Sequence, residues 1–387
     1  MNLPALDQLL LERRVLICCG TGGVGKTTVS AALALRAAAL GRRSVVITID
    51  PAKRLTTSLG IESLGDEPTN LTGAFRRIHE RHQGTPGALP GSGTGTVHAI
   101  VPDTRSTFES FVRRLAPDPG LAERIIRNPI FQVFAKEFSG SNEYMAMERL
   151  RALAESRAYD LIILDTPPSR NTLAFLEAPA LLGRFFEDKL IRWLVLPANR
   201  LVQGGMRKAM GILEKLTGSG FMTHLFEFSS SLFEVRASFA ANFHKITELL
   251  RARDVGFLLI AAPAPDTAPE ALHFIDSVAE RQFHFEGVIV NRTLSHLAVG
   301  ASASDPAQTK SDPLLAQALT LLQALQHREQ ASLTALAQAL RSRPGDPVFL
   351  RLPELARDVH SLEDLAQVLA SFESQATSPS SSERARP

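Results

Sequence analysis

The chain has 387 residues, 44% of them hydrophobic, with a formal net charge of +2 and two cysteines. That length allows a large buried core and room for one big α/β domain or a domain with a sizeable insertion, two domains being the first expectation. The small charge, with no basic cluster, leaves no footprint for nucleic acid, and adjacent Cys18 and Cys19 offer neither a disulfide framework nor a cysteine metal site.

The opening MNLPALDQLLLERR lacks the charged-then-apolar layout of a signal peptide, and no run of about 18 uncharged apolar residues occurs, so a soluble, cytoplasmic protein is expected. RVLICC (14–19) reads as a short buried strand. It leads into Gly20-Thr21-Gly22-Gly23-Val24-Gly25-Lys26-Thr27-Thr28, and then into VSAALALRAAAL (29–40), which is Ala/Leu-rich at helical spacing and closed by Gly41. Gly20 to Thr27 fit the phosphate-loop pattern G-x-x-x-x-G-K-[ST]. Glycines there let backbone N–H groups turn inward around phosphate oxygens, and the following helix adds its positive end. Lys26 would neutralise the β- and γ-phosphates and Thr27 would ligate Mg²⁺.

Further apolar runs follow at SVVITID (44–50), VHAIVPD (97–103), YDLIILD (159–165), VGFLLIAA (255–262), EGVIVN (286–291) and PVFLRL (347–352), with helical stretches between them. The alternation predicts βαβ units feeding a mostly parallel, doubly wound sheet. It is interrupted between Asp165 and Val255, a helical-looking separation far longer than a crossover needs, and less so between Asp103 and Tyr159. Both excesses predict a helical subdomain inserted into the nucleotide domain. Residues 82–96 (HQGTPGALPGSGTGT) predict a mobile loop, 298–312 a further loop, and 374–387 a disordered tail.

Hydrolysis needs groups that hold Mg²⁺ and place water, and in an open α/β sheet these belong at the carboxyl ends of strands. Asp50 closes the second run and begins Asp50-Pro51-Ala52; Asp165 closes the fourth and begins Asp165-Thr166-Pro167-Pro168. Either also reads as a strand-end helix cap. Asn291 ends EGVIVN and could pair with an adenine edge through its amide, or simply initiate a turn.

Together, Gly20 to Thr28, Asp50-Pro51-Ala52, Asp165-Thr166-Pro167-Pro168 and Val290-Asn291, in this order and spacing, resemble the ArsA/Get family of ATPases, among the deviant-Walker P-loop NTPases related to MinD and ParA. The resemblance runs from about Val15 to Phe372. It implies ATP and Mg²⁺ as cofactors, Lys26, Asp50 and Asp165 as catalytic, and Thr27, Asp50 and Asp165 around the metal. Asp50 would position the attacking water in a first switch and Asp165 would support Mg²⁺ in a second. Asn291 would contact adenine, with Leu352-Pro353 in a loop over the base. The implied fold is α/β, a doubly wound mostly parallel sheet of a P-loop NTPase with an inserted helical subdomain. The expected organisation places the NTPase domain in 1–102, in the second-switch region 159–178 and in 255–373. The helical insertion is expected as two segments, 103–158 and 179–254, and 374–387 as the tail.

The resemblance also implies an ATP-closed dimer in which the loop's first lysine reaches the partner's phosphates; here that position is Thr21. A homodimer would lack that charge at both sites. The expected assembly is a homodimer with another cation such as Arg54 or Arg170 substituting, or a heterodimer with a paralogous ATPase carrying the lysine. A regulatory subunit with little turnover is the first alternative. An arsenite or anion pump motor is the second, and two adjacent cysteines argue against a thiolate site for it. His79 and His82 share a helix face but lack nearby ligands.

Every methionine after Met1 lies between Met145 and Met222, and fourteen of the twenty-one phenylalanines lie between Phe108 and Phe243. This concentration suits a surface for a hydrophobic or membrane-protein client, as the resemblance also implies, or the plain packing of a helical layer. Phe185, Phe186 and Trp193 are the residues to inspect for exposure. Lys189, Arg192, Arg200, Arg207 and Lys208, interleaved nearby, permit contact with an anionic membrane surface.

Overall fold

The computed structural model describes residues 3–48, 54–59, 61, 64–82, 93–132, 141–166, 220–294, 313–341, 347–355 and 357–374. Asp50, Trp193, Phe185, Phe186, the basic residues between 189 and 208, and the expected loop at 298–312 lie outside the described residues. The chain divides into two compact units, one of Met1–Val101, Ser156–Leu173 and Arg251–Pro387, the other of Pro102–Glu155 and Ala174–Leu250.

The first unit is built on an eight-stranded sheet. Its strands are β1 (Val15–Cys19), β2 (Arg43–Thr48), β3 (Thr69–Asn70), β4 (Thr96–Ile100), β5 (Leu161–Asp165), β6 (Val255–Ala261), β7 (His284–Thr293) and β8 (Val348–Pro353). They lie in the order β3-β4-β2-β5-β1-β6-β7-β8, and only the β3–β4 pair is antiparallel. β1 and β5 are buried along their whole length, which is why their sequences are continuous in apolar residues rather than alternating. The chain moves to one side of β1 through β2 and β4, returns to β5, then crosses to β6, β7 and β8 on the other side. β1 and β5 therefore flank the point where the winding reverses, and a crevice for a ligand opens at their carboxyl ends.

Helices α1 (Leu3–Glu12), α2 (Lys26–Ala39), α3 (Arg54–Leu59) and α4 (Thr72–His82) belong to this unit. α2 follows the glycine-rich loop and is buried on nearly every side, which its alanines permit because they let β2, β5 and α1 approach closely. Its Arg36, with a side chain only 1% exposed, is held by Asp7 of α1 through contacts of 2.5 and 3.0 Å. Leu6, Leu9 and Leu10 of α1 enter the same core as Val29, Leu33 and Leu35.

The strands differ from the sequence expectation at their ends. β4 stops at Ile100, because Asp103 leaves the sheet to cap α5 (Thr104–Leu115), accepting a hydrogen bond from Ser106 N at 2.7 Å. β7 runs on past Asn291 to Thr293. The expected mobile stretch 82–96 is ordered at its far end: Gly93 N and Gly95 N donate to the carbonyls of Ala39 and Ala38, so residues 93–95 lie on the end of α2. His79 of α4 is 3% exposed and packs on Phe75, with ring centroids 5.8 Å apart.

In the second unit, α5 is followed by α6 (Pro119–Arg127), α7 (Ser141–Ser156) and α8 (Phe221–Arg251). Asp118 caps α6 by accepting from Leu121 N. Phe108, Phe111, Phe131, Tyr144, Phe228 and Phe239 form a chain of ring contacts, the tightest being Phe111–Phe239 at 4.9 Å and Phe108–Phe131 at 5.1 Å. Met145 and Met147 are buried. These aromatic and sulfur side chains serve as core. Among the buried groups, Glu148 pairs with Arg151 at 2.9 Å and with Arg114, and accepts from Asn242 at 2.7 Å, so a buried charge is fully engaged.

The first unit continues with α9 (Thr267–Glu280), α10 (Pro313–Arg341) and α11 (Leu362–Ser374). No helix among the described residues is long and apolar enough to cross a membrane.

Candidate functional site

The loop between β1 and α2 takes a conformation that its glycines permit. Gly20 has φ +154°, and a Cβ there would lie 2.1 Å from the Ile260 carbonyl oxygen of the neighbouring β6. Gly25, at φ +88°, directly precedes α2, and a Cβ there would lie 2.3 Å from Asn291 Nδ2. Between them Thr21 is half-buried and Gly22 and Gly23 are exposed, while Val24 turns into the core.

Lys26 and Thr27 open α2 and both are buried. Lys26 Nζ donates to the Thr21 carbonyl at 2.9 Å, spanning the loop from its end to its beginning. Thr27 Oγ1 donates to Asp165 Oδ2 at 2.6 Å. Asp165, the last residue of β5, lies across from Cys18 in β1 and from Thr48 in β2. Thr48 Oγ1 donates to the same Oδ2 at 2.7 Å. Thr166 bonds back to the Cys18 carbonyl through its hydroxyl at 2.8 Å and its N–H at 3.2 Å, which fixes the chain as it leaves β5.

The structure thus brings Lys26, Thr27 and Asp165 together at the carboxyl ends of β1 and β5. Two further side chains join them: Thr48, which sequence reading passes over, and Thr166, which it takes only as part of the Asp165 motif. The residues suit Mg²⁺ chemically, since a threonine hydroxyl and a carboxylate are hard oxygen donors of the kind that ion prefers. The neighbouring thiols do not compete. Burial pushes the Cys18 thiol up to about 12, with the Asp165 charge adding to the rise, and burial raises Cys19 as well. Both are protonated and inert at neutral pH.

On the other flank, Asn291 Nδ2 donates to the Val24 carbonyl at 2.9 Å. Arg292, with φ +64°, turns its guanidinium toward the Gly23 carbonyl at 3.3 Å and pairs with Glu354, also at 3.3 Å. A left-handed arginine is uncommon backbone geometry, and here it accompanies a register shift between β7 and β8. The shift is held by Thr293 Oγ1 on the Leu352 carbonyl at 3.0 Å and by Glu354 N on the Thr293 carbonyl at 2.9 Å. A cleft results, lined by Gly23, Gly25, Thr28, Asn291, Arg292, Leu352 and Pro353 and also by Glu354, Leu355, Arg357, Asp358 and Val359. Leu352 is 1% exposed, so its side chain belongs to the core. Pro353 is half-buried at the end of β8.

Comparison with known proteins agrees with this geometry. Residues 13–78 and 122–301 match the ArsA family, described as anion-transporting ATPases. The chain belongs to the ArsA ATPase family. It is 27% identical over 282 residues to an uncharacterized protein of Streptomyces coelicolor, covering 73% of this chain and 63% of that one. It is 26% identical over 183 residues to the ATPase GET3 of Malassezia globosa, 47% of each chain. A protein of Chlorobaculum tepidum named as an arsenical pump-driving ATPase is 28% identical over 169 residues, 43% of this chain and 36% of that one. The matched stretches span between about a third and under two thirds of these relatives' lengths. The ArsA match covers β1, the phosphate loop, α2, β5 and Asn291, and so includes every described side chain named above around Asp165.

Proposed function

We propose that this chain is a Mg²⁺-dependent ATP hydrolase that works as a dimeric switch, its ATP state governing binding and release of a hydrophobic or membrane-associated client. The observation that carries this reading is Thr27 Oγ1 on Asp165 Oδ2 at 2.6 Å, directly beneath a phosphate loop. In this reading Lys26 leaves the Thr21 carbonyl for the β- and γ-phosphates, which bring a stronger, charge-assisted partner. Thr27 and Asp165 hold Mg²⁺, which when bound neutralises phosphate charge. Asp50 positions the attacking water. Asn291 and the cleft beside Pro353 take the base. Lys26 and Asp165 are both buried, so their charges act in a medium less screened than water. A cytoplasmic location, with contact at the membrane periphery when a client is delivered, fits this role.

Thr21 favours one form of the dimer. A threonine at the position of the family's first loop lysine provides no charge for a partner's phosphates, so a paralogous subunit with that lysine completes this chain's site. A thiolate-based metalloid pump has little to stand on, because Cys18 and Cys19 are buried in β1.

The reading is tested by isothermal titration with ATP and Mg²⁺, together with mass by light scattering. The wild type should bind nucleotide tightly and, with the paralogous subunit present, gain mass with ATP, and Lys26→Ala should lose both. Equal binding by Lys26→Ala would place the nucleotide elsewhere and sink the reading.

A further inference from the structure

Thr48 ends β2 opposite Asp165 and is wholly buried. β2 is buried from Ser44 onward and otherwise carries Val45, Val46 and Ile47, so an apolar residue at 48 would be the less costly choice. A hydroxyl there needs a partner, and it has one: Oγ1 donates to Asp165 Oδ2 at 2.7 Å. The same oxygen accepts from Thr27 Oγ1 at 2.6 Å. Two donors from two elements, β2 and α2, meet on one carboxylate oxygen.

We propose that Thr48 is a positioning residue for Asp165, holding the carboxylate in the one orientation in which it and Thr27 share the Mg²⁺ that accompanies the nucleotide. The proposal rests on the ATP reading above. Groups that orient a metal-binding carboxylate without touching the metal commonly change metal affinity about 10- to 100-fold when removed. Thr48 fits that role through burial, strand register and hydrogen-bond direction together. Thr48 sets a second hydroxyl on Oδ2 beside that of Thr27.

The test uses the full chain and a fluorescent ADP analogue, with binding measured in EDTA and across a Mg²⁺ titration for wild type, Thr48→Val, Thr48→Ala and Thr48→Ser. The valine and alanine variants should raise the Mg²⁺ concentration for half-maximal tight binding about tenfold, keep their affinity in EDTA within about twofold, and be rescued by serine. Alanine carries the test if valine does not fold. A Mg²⁺ requirement unchanged in both variants, or an equal loss in EDTA and in Mg²⁺, would overturn the proposal and leave Thr48 as packing. Absence of nucleotide binding in the wild type is a separate result, which would overturn the ATP reading itself and this inference with it.

Discussion

Asn291 and Val24, 267 residues apart, are joined by a hydrogen bond of 2.9 Å from the Asn291 amide to the Val24 carbonyl. The bond ties the end of β7 to the crest of the phosphate loop. Nucleotide bound in the loop and a base lying beside β7 would therefore bear on two segments joined by this side-chain hydrogen bond.

Gly25 sits inside this connection. Gly25→Ala would set a Cβ 2.3 Å from Asn291 Nδ2 at a φ of +88°, so the loop or the asparagine must move. Strain at such a position costs about 1–3 kcal/mol. Thermal melting should show a modest loss for the free protein, whereas the stabilisation gained on adding ATP and Mg²⁺ should largely vanish. An undiminished ATP-induced shift would contradict the placement of the nucleotide in this loop.

Thr21 predicts a gain of function. If the site lacks only a charge from across a dimer, Thr21→Lys should raise steady-state turnover by about 10²-fold or more. Asp50→Asn in the same background should abolish the gain. A wild type that already turns over well as a homodimer, indifferent to the lysine, would remove the need for a second kind of subunit.

Much of this arrangement is legible in the sequence. Parallel strands buried on both faces write themselves as unbroken apolar runs, so β1, β5 and β6 were visible, and the loop motif pointed to Lys26 and Thr27. Asp165 was visible because a carboxylate ending such a run is conspicuous. Thr48 was not, since a threonine suits any strand and its partner lies 117 residues away. β3 is two residues long and exists through its pairing with β4, which no local pattern announces. α1 was passed over although its leucines enter the main core. The concentration of Phe and Met reads the same for a client surface as for a core, and contacts such as Phe111–Phe239 show core packing for the residues that make them. The left-handed turn at Arg292 depends on the shift between β7 and β8 and leaves no mark in composition.

The buried Arg36 predicts a stability effect far from the chemistry. Asp7→Ala removes a carboxylate that holds the guanidinium at 2.5 and 3.0 Å, and breaking such a pair should cost about 3 kcal/mol in urea unfolding. Asp7→Asn, which keeps one acceptor, should cost less. Equal stability of Asp7→Ala and wild type would mean that the pair contributes nothing.

The cysteines predict a pH response with a definite sign. Burial raises the Cys18 thiol to about 12, so the folded chain keeps its proton where an unfolded thiol, near 9.0, releases it. The stability linked to this group is complete below pH 9 and is lost as pH rises from there toward 12. At pH 8 a thiol reagent such as iodoacetamide should label neither cysteine in the native protein and both in denaturant. Rapid native labelling would contradict their burial.

The most direct measurement of the central claim is steady-state ATP hydrolysis by wild type and Asp165→Asn, with Mg²⁺ and with EDTA, in the presence and absence of a paralogous subunit carrying the loop lysine. Hydrolysis that needs Mg²⁺, rises with the partner and falls about 10²-fold or more in Asp165→Asn is the predicted result. Turnover indifferent to Asp165, or none under any of these conditions, would contradict the assignment of this site as an ATP hydrolase.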